Sequence, residues 1–311
     1  MDAATLKACY SRIQPHVIRT PVISSQALDE ISGSKLVFKC ENFQQMGAYK
    51  IRGAVNAILQ LPPGKRPRGV VTHSSGNFAQ ALSLAARKLG IPATIVMPST
   101  ASRFKKKAVL EYGGKILECE PTAEAREKMA EAVGAGTGAT FIHPSNNLQV
   151  ILGQGTACME LLEDHPDLEA VIVPVGGGGL LAGTSLAAHF FGDSCKVFAG
   201  EPEEADDAYR SFHSGVLQGN PSTNTIADGL KTTLGDVNFP IILKYTSEII
   251  RVSEPEIISA MRLLWERLKI TAEPSSAVAL AALLREKDLF QGKRVGIIIS
   301  GGNVDLEELP F

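Results

Sequence analysis

The chain has 311 residues, of which 44% are hydrophobic and 21% are charged, and its formal net charge is −2. This composition is typical of a globular protein of one large or two modest domains, and the near-neutral charge gives no reason to expect nucleic acid or an acidic membrane surface as a partner. The five cysteines include no CxxC pair, which argues against a disulfide framework or a zinc site and favours a reducing compartment.

Short apolar runs alternate with helical patterns along the chain. Each run is rich in Val and Ile and predicts a buried strand, at residues 36–40, 69–73, 93–97, 115–119, 139–143, 170–175, 196–200 and 295–300. Helical patterns fall between them, at residues 77–89, 101–112, 122–135, 180–190 and 254–268. This alternation predicts an α/β fold of parallel-rich twisted sheets flanked by helices. PPGKRPRG, and less clearly residues 145–147, mark possible domain edges.

A lysine stands near the start of another predicted helix, in the segment MGAYKIRGA. This residue is Lys50, between Tyr49 and the apolar Ile51. A lysine amine condenses with carbonyl groups, and burial lowers the pKa of a lysine enough to free the amine. The alternative is an ordinary solvated surface lysine.

The turn HSSGNF follows the strand at 69–73 and offers several hydrogen-bond donors at a helix start. Its polar members are Ser74, Ser75, Gly76 and Asn77. A turn of this kind can bind a carboxylate. Alternatively, Ser75 serves only to cap the helix.

Four consecutive glycines separate a strand from a helix: Gly176, Gly177, Gly178 and Gly179. Without Cβ atoms they expose several backbone N–H groups to one anion, and the helix N-terminus adds partial positive charge. The pattern predicts a phosphate cup, and it is neither GxxxxGK[ST] nor GxGxxG, so a nucleoside triphosphate or a dinucleotide is not favoured. The alternative is a tight turn without a ligand. Ser300 ends the last predicted strand, where its hydroxyl can reach a bound ring.

Taken together and in this order, these segments resemble the fold-type II pyridoxal-phosphate (PLP) enzymes of the serine racemase and serine/threonine dehydratase family. The resemblance runs from RTPV at Arg19 to SGGNVD at Asp305 and includes FKCENFQ, HPSNN, GQGT, IADG and EPSSA. Within the family, HSSGN, PVGGGGLLAG, EPEEADDA and SGGNVD are most like the eukaryotic serine racemases. The resemblance implies a large PLP-binding domain, residues 1–68 and 146–311, and a small mobile domain, residues 69–145, which closes over the substrate.

The resemblance also implies roles for single residues. Lys50 would bind PLP covalently and take the α-proton, and Ser75 would act on the opposite face. The other cofactor contacts would be Tyr49 by packing, Asn77 at the ring oxygen, Ser300 at the pyridine nitrogen, and Gly176, Gly177, Gly178 and Gly179 at the phosphate. The substrate would contact Ser74, Ser75, Gly76, Asn77 and Arg126.

A second candidate site lies in AGEPEEADDA, after the strand at 196–200. Its carboxylates, Glu201 and Asp207, are separated by a short loop and suit a hard cation with oxygen ligands. The resemblance adds the carbonyl of Ala205 and implies Mg²⁺ or Ca²⁺ in a structural role outside the PLP crevice. The alternative is a solvated acidic loop.

Two departures from the family bear on the substrate. Phe78 stands where relatives usually have histidine, which removes a polar group, while Ala48 in place of a common serine is expected to matter less. The polar residues 145–147 also differ from the usual loop and would favour an acidic substrate.

The predicted function is a serine racemase that also eliminates the β-hydroxyl of serine to give pyruvate and ammonia. The alternatives within the family are an ammonia-lyase for L-threonine or threo-3-hydroxyaspartate, or an aspartate racemase. A PLP-binding protein without catalysis is a third hypothesis, and the intact pair Lys50 and Ser75 argues against it. We expect a homodimer by resemblance, and a cytoplasmic protein because no apolar run resembles a bilayer span or a signal-peptide core.

Overall fold

The computed structural model describes the backbone of residues 1–311 and every side chain except that of Ala123. The strands are β1 Val22–Ile23, β2 Lys35–Cys40, β3 Val70–His73, β4 Ala93–Pro98, β5 Lys115–Cys119, β6 Thr140–Phe141, β7 Ala170–Pro174, β8 Lys196–Pro202, β9 Glu248–Val252 and β10 Arg294–Ile299.

The α-helices fill the intervals between the strands. They are α1 Ala3–Ile13, α2 Gln26–Ser32, α3 Lys50–Leu59, α4 Asn77–Lys88, α5 Arg103–Glu111, α6 Ala123–Thr137, α7 Leu148–Asp164, α8 Gly179–Phe191, α9 Asp207–Ser214, α10 Phe239–Tyr245, α11 Glu254–Leu263, α12 Pro274–Arg285 and α13 Lys287–Phe290. A π-helical turn, Leu264–Leu268, extends α11, and short 3₁₀ turns make several of the remaining connections.

The strands form two separate sheets. The larger sheet has the order β1-β2-β10-β7-β8-β9, and all its pairs are parallel except β1 with β2. Strand β7 (AVIVP) is buried along its whole length, which explains why its sequence is continuously apolar rather than alternating. Helices α7 and α8 pack near this sheet, and their apolar residues share a core cluster with those of β7 and β8.

The smaller sheet has the order β5-β4-β3-β6 and is parallel throughout. All four of its strands come from residues 70–141, inside the range predicted for the small domain. Its core contains Phe78 together with other apolar residues of α3 and α4. Movement of this part of the chain relative to the larger sheet stays a prediction.

The α/β class with parallel-rich sheets is confirmed, and each of the eight predicted strands overlaps a strand of the structure. Two strands were not predicted. Strand β1 has only two residues, which is too short for a pattern, and β9 (EIIRV) has charged residues at its more exposed positions, so it does not form an apolar run. Helix α7 was not predicted because it is buried on nearly all sides and shows no amphipathic period.

Candidate active site

Lys50 is the first residue of α3, and its half-buried side chain lies beside the end of β10. The backbone N–H of Tyr49 donates to the carbonyl of Ser300 at 3.0 Å, and Ala48 forms an antiparallel bridge with Gly301. The Lys50 amine is 5.1 Å from the centroid of the Tyr49 ring. These contacts hold the start of α3 against the carboxyl end of the large sheet, where ligands of open α/β sheets bind.

A buried group of four charges anchors α3 from behind. The guanidinium of Arg52 donates to Glu41 and to Glu160, with distances of 2.8 Å to each carboxylate, and the Lys39 amine is 2.7 Å from Glu160. All four side chains are at most 1% exposed. Although burial opposes it, the charge of Arg52 lowers the pKa of Glu41. Two cations and two carboxylates compensate each other, which fixes Lys50 on a rigid support.

The four-glycine turn connects β7 to α8 and is fully buried. A Cβ atom on Gly177 would lie 2.5 Å from the Ser145 hydroxyl and 2.9 Å from the Thr232 hydroxyl. Gly178 adopts a left-handed conformation with φ of 78° and caps α8, and the side chain of Asn238 donates to the Gly177 carbonyl at 2.9 Å. Hydroxyl groups, backbone N–H groups and a helix start therefore meet in a space that side chains larger than glycine would fill.

The turn between β3 and α4 is less tightly bonded. Residues 74–77 are half-buried, and the only hydrogen bond within the turn runs from the Gly76 N–H to the Ser74 hydroxyl, at 3.4 Å. The N-cap of α4 is Gly76, with no capping bond from a side chain. The interpretation that Ser75 caps the helix therefore has no support in the hydrogen bonds, and its hydroxyl is available for another role.

Asn77 lies at the centre of a polar network that joins the two sides of the cleft. Its amide nitrogen is 2.9 and 3.0 Å from the two carboxylate oxygens of Glu273, and its amide oxygen accepts from Asn303 at 2.9 Å. Burial, and then the negative charge of Asp228, raise the pKa of Glu273 to about 7, although the bond from Asn77 and the charge of Lys50 lower it. The network thus lies within electrostatic reach of Lys50.

Ser300 directly follows strand β10, on the side of the cleft that the larger sheet forms. Its side chain is 3% exposed, and its hydroxyl is 3.0 Å from that of Ser276. The Ser276 hydroxyl also contacts the backbone N–H and carbonyl of Gly301, at 2.7 Å each. Because the single hydrogen of Ser276 goes to the Gly301 carbonyl, the Ser300 hydroxyl is the donor to Ser276, which holds Ser300 against the start of α12.

Two histidines, His73 and His143, belong to the side of the cleft that the smaller sheet forms. Burial, and then the charge of Arg126, lower the pKa of His73, while burial followed by His73 lowers the pKa of His143 to about 4. The Nδ1 atom of His143 accepts from the backbone N–H groups of Ser145 and Asn146, at 3.2 and 2.8 Å. The neutral ring of His143 must then carry its proton on Nε2, which gives the cleft a fixed uncharged donor.

The carboxylates of Glu201 and Asp207 are both fully buried, away from this cleft. Glu201 accepts from the N–H groups of Ala208 and Tyr209, and Asp207 accepts from Leu234 and from an asparagine side chain. Burial and the neighbouring Asp207 raise the pKa of Glu201, and burial raises that of Asp207 to about 6. The charge of Arg210 lowers the pKa of Asp207 but does not offset the burial of the two carboxylates, which also repel each other.

Most of the residues proposed from the sequence therefore meet at one cleft. Lys50, Tyr49, Asn77 and Ser300 are joined through direct bonds or a shared partner, and the four-glycine turn ends the neighbouring strand β7. Arg126 lies near the edge, where its charge reaches His73. The sequence analysis missed Glu273, Asn303 and His143. They stand inside EPSSA, SGGNVD and HPSNN, and a polar residue next to a predicted buried segment is the only signal that the sequence offers for them.

Comparisons with known proteins identify the family and the fold of the chain. The family model described as "Pyridoxal-phosphate dependent enzyme" matches residues 13–301. The beta-hydroxyaspartate dehydratase of Paracoccus denitrificans is 49% identical, over 98% of this chain and 96% of that protein. The serine racemase of Dictyostelium discoideum is 48% identical, over 98% of this chain and 95% of its own length. The solved structure of maize serine racemase superposes with a TM-score of 0.96 at 45% identity and covers 99% of this chain and 95% of that one. Among the described residues, no helix is long and apolar enough to cross a membrane.

Proposed function

The chain belongs to the pyridoxal-phosphate dependent enzyme family, and we propose that it is a racemase and β-eliminating ammonia-lyase of a small β-hydroxy amino acid, with serine as the leading substrate. The observation that carries the proposal is the position of Lys50. Its amine opens α3 at the end of β10, within reach of the charge of Glu273 and next to Tyr49. A rigid support and a half-buried amine are what covalent binding of a carbonyl cofactor requires.

The residues around the cleft fit PLP. The four-glycine turn, with the hydroxyl of Ser145 beside it, would hold the phosphate at the start of α8. Asn77 would donate to the ring oxygen, and the Ser300 hydroxyl would turn its hydrogen from Ser276 to the pyridine nitrogen. A neutral hydroxyl at that nitrogen leaves the ring unprotonated, whereas an aspartate would make it a stronger electron sink.

When bound, PLP supplies the electron-withdrawing ring that acidifies the α-hydrogen of an amino acid. The N–H groups of the turn at residues 74–77 orient the substrate carboxylate. The Lys50 amine takes the α-proton from one face, while the free hydroxyl of Ser75 exchanges a proton at the other face. Proton return from the Ser75 side inverts the configuration. Departure of the β-hydroxyl as water leads instead to a keto acid and ammonia.

A specific observation favours a second candidate, elimination of water from 3-hydroxyaspartate. The charge of Arg126 reaches His73, and His143 carries its proton on Nε2; we propose that both groups face the substrate, where they would bind a second carboxylate. The dehydratase of Paracoccus denitrificans, which carries beta-hydroxyaspartate in its name, supports this candidate. Aspartate also carries a second carboxylate that the same groups would bind, so the substrate panel has to separate aspartate racemisation from this elimination. Threonine has one carboxylate only and gains no support from these groups.

Further parts of the proposal concern the rest of the molecule. Residues 69–145 would form the small domain that closes over the substrate, against a large domain of residues 1–68 and 146–311. Mg²⁺ or Ca²⁺ would bind Glu201, Asp207 and the carbonyl of Ala205, and the raised pKa values of the two buried, mutually repelling carboxylates support a cation there. No group of three or more His, Cys, Asp or Glu side chains surrounds a common point among the described residues, so carbonyl groups and water would complete such a site. We also propose a cytoplasmic homodimer.

The proposal is tested with the pure PLP-loaded protein and a panel of substrates. L-Serine, L-threonine, L-aspartate and both threo- and erythro-3-hydroxyaspartate are incubated separately, and keto acid, ammonia and the enantiomers of the remaining amino acid are measured. Formation of D-serine and pyruvate from L-serine supports the leading candidate. Oxaloacetate from 3-hydroxyaspartate with little reaction of serine supports the second, and no turnover of any of the five contradicts both.

A further inference from the structure

The Asn77 amide is held from both ends by groups of opposite hydrogen-bonding character. The Glu273 carboxylate faces the amide nitrogen at 2.9 and 3.0 Å, and the Asn303 side-chain nitrogen faces the amide oxygen at 2.9 Å. An ionised carboxylate only accepts and an amide NH₂ only donates, so this arrangement permits one orientation of Asn77 and opposes the reversed one. The amide is therefore preset before any ligand arrives.

The two partners are themselves fixed. The backbone N–H of Asn303 donates to Glu273 at 3.2 Å, and its side chain also donates to the Met46 carbonyl at 2.9 Å. The backbone N–H of Glu273 donates to the carbonyl of Gly301 at 3.1 Å. A Cβ atom on Gly301 would lie only 2.8 Å from the Glu273 carboxylate, so a glycine is needed there to leave room for it.

We propose that Glu273 and Asn303 are positioning residues that determine which end of the Asn77 amide faces the cofactor. The inference rests on the proposed contact between Asn77 and the ring oxygen of PLP. Both carboxylate oxygens accept from the amide nitrogen, and the proposed contact requires that they share one of its two hydrogens and leave the other for the ring oxygen. With the amide reversed, its oxygen would face the ring oxygen and two acceptors would repel each other.

The electrostatic surroundings agree with a functional role for Glu273. It is 4% exposed, and the groups that face it are Asp228, Lys50, Asn77 and Asn303. Burial, and then Asp228, raise its pKa to about 7, so the folded chain retains a carboxylate that costs stability when ionised. A glutamine would satisfy the same space at lower cost, but its NH₂ can face Asn77 and would not impose the orientation.

The test exchanges donor and acceptor across Asn77. In the double variant Glu273→Gln/Asn303→Asp the glutamine NH₂ can donate to the amide oxygen and the introduced carboxylate can accept from the amide nitrogen. The bonds to Asn77 are then retained while the amide turns over, and the bond from residue 303 to the Met46 carbonyl is lost. We expect this variant to fold, to bind PLP about tenfold or more weakly, as loss of one hydrogen bond to a charged group implies, and to show a changed ratio of the cofactor's absorbance bands. Wild-type affinity and absorbance in the folded double variant would overturn the inference.

Two further proteins separate the possible failures. Ser34→Ala removes a buried hydrogen bond to Phe290, at 2.8 Å, away from the cleft, and it should lower the thermal midpoint without changing the cofactor absorbance. In Asn77→Ala, PLP affinity and absorbance should change, and adding the double exchange should then have no further effect on the absorbance. If Asn77→Ala itself leaves both unchanged, the proposed role of Asn77 fails. If only the double exchange is silent, this inference alone fails.

A single variant covers the case in which the double variant does not fold. Asn303→Ala removes the donor that faces the amide oxygen and leaves Glu273 in place, so the amide keeps only one of its two constraints. A changed absorbance ratio with the cofactor bound supports the inference. An absorbance ratio equal to that of the wild type across pH 6–9 contradicts it.

Discussion

The two sides of the cleft differ in how completely their polar groups are bonded. On the large-sheet side, Ser300 and Glu273 are 3% and 4% exposed, and each forms hydrogen bonds with neighbouring residues. On the small-sheet side, residues 74–76 are half-buried and their bond within the turn is long, at 3.4 Å, while Asn77 is the one residue of the turn bonded to Glu273 and Asn303. A cofactor that stays bound through every turnover binds more tightly when the side chains around it are already ordered, because the entropy of ordering them has been lost on folding. A substrate that enters and leaves needs a surface whose contacts form on closure.

The largest effect is expected when the Lys50 amine, on the large-sheet side, is removed. In Lys50→Ala the backbone bond from Tyr49 to Ser300 is unaffected, so the protein should fold normally. We expect loss of the covalent cofactor absorbance and a fall in turnover of about 10²- to 10⁴-fold, because both cofactor attachment and the proton acceptor are lost. Absorbance spectra and substrate assays measure the two effects. Full turnover in the variant would remove Lys50 from the mechanism.

Ser75→Ala tests the small-sheet side, where the effect should depend on the reaction. Racemisation needs a proton carrier on each face of the α-carbon, whereas elimination from L-serine needs a base on the Lys50 face only. We expect racemisation and D-serine elimination to fall by about 10²-fold or more while L-serine elimination is largely kept. All three rates are compared on one preparation. An equal loss of racemisation and L-serine elimination, or retained D-serine production, would contradict a two-base mechanism.

A third test concerns the two buried carboxylates of the large-sheet side, Glu201 and Asp207. If a divalent cation binds at Glu201 and Asp207, saturating Mg²⁺ should raise the thermal midpoint of chelator-treated protein by about 5 °C. Asp207→Asn removes one of the two repelling charges together with one of the two hydrogen bonds that Asp207 accepts, and this variant should be insensitive to Mg²⁺. Differential scanning fluorimetry with EDTA, Mg²⁺ and Ca²⁺ provides the measurement. Equal responses of both proteins to the ions would exclude this site.

The smallest predicted effect is the pH dependence that Glu273 adds to stability in the absence of PLP. Its pKa is raised from 4.5 to about 7, so its contribution to stability is fully present below about pH 4.5 and is lost as the pH rises to about 7. The loss amounts to at most roughly 3 kcal/mol. Urea unfolding of apoprotein at several pH values should show a flatter profile for Glu273→Gln than for the wild type. Parallel profiles would mean that this carboxyl is ionised normally.

The sequence predicted the large-sheet side of the cleft better than the network across it. Strand β7, the glycine turn and α8 are contiguous in the chain, so a local pattern predicts both their structure and their anion-binding character. Lys50 is recognisable only through its order relative to the other motifs. Glu273 and Asn77 are separated by 196 residues, and nothing in either segment alone indicates that the two side chains meet. Pairings of this kind depend on the arrangement of the two sheets, which no local period encodes.

The buried group behind Lys50 has a consequence for how the chain acquires its structure. Arg52 meets Glu41 within 11 residues, but its second carboxylate, on Glu160, lies 108 residues further along. During synthesis, a segment that ends before α7 can neutralise only part of this group, and burying Arg52 and Lys39 with a single carboxylate would leave an uncompensated charge in the interior. Helix α3 should therefore stay hydrated until α7 is available. We expect truncated chains that end before residue 160 to associate with chaperones rather than to form the large domain.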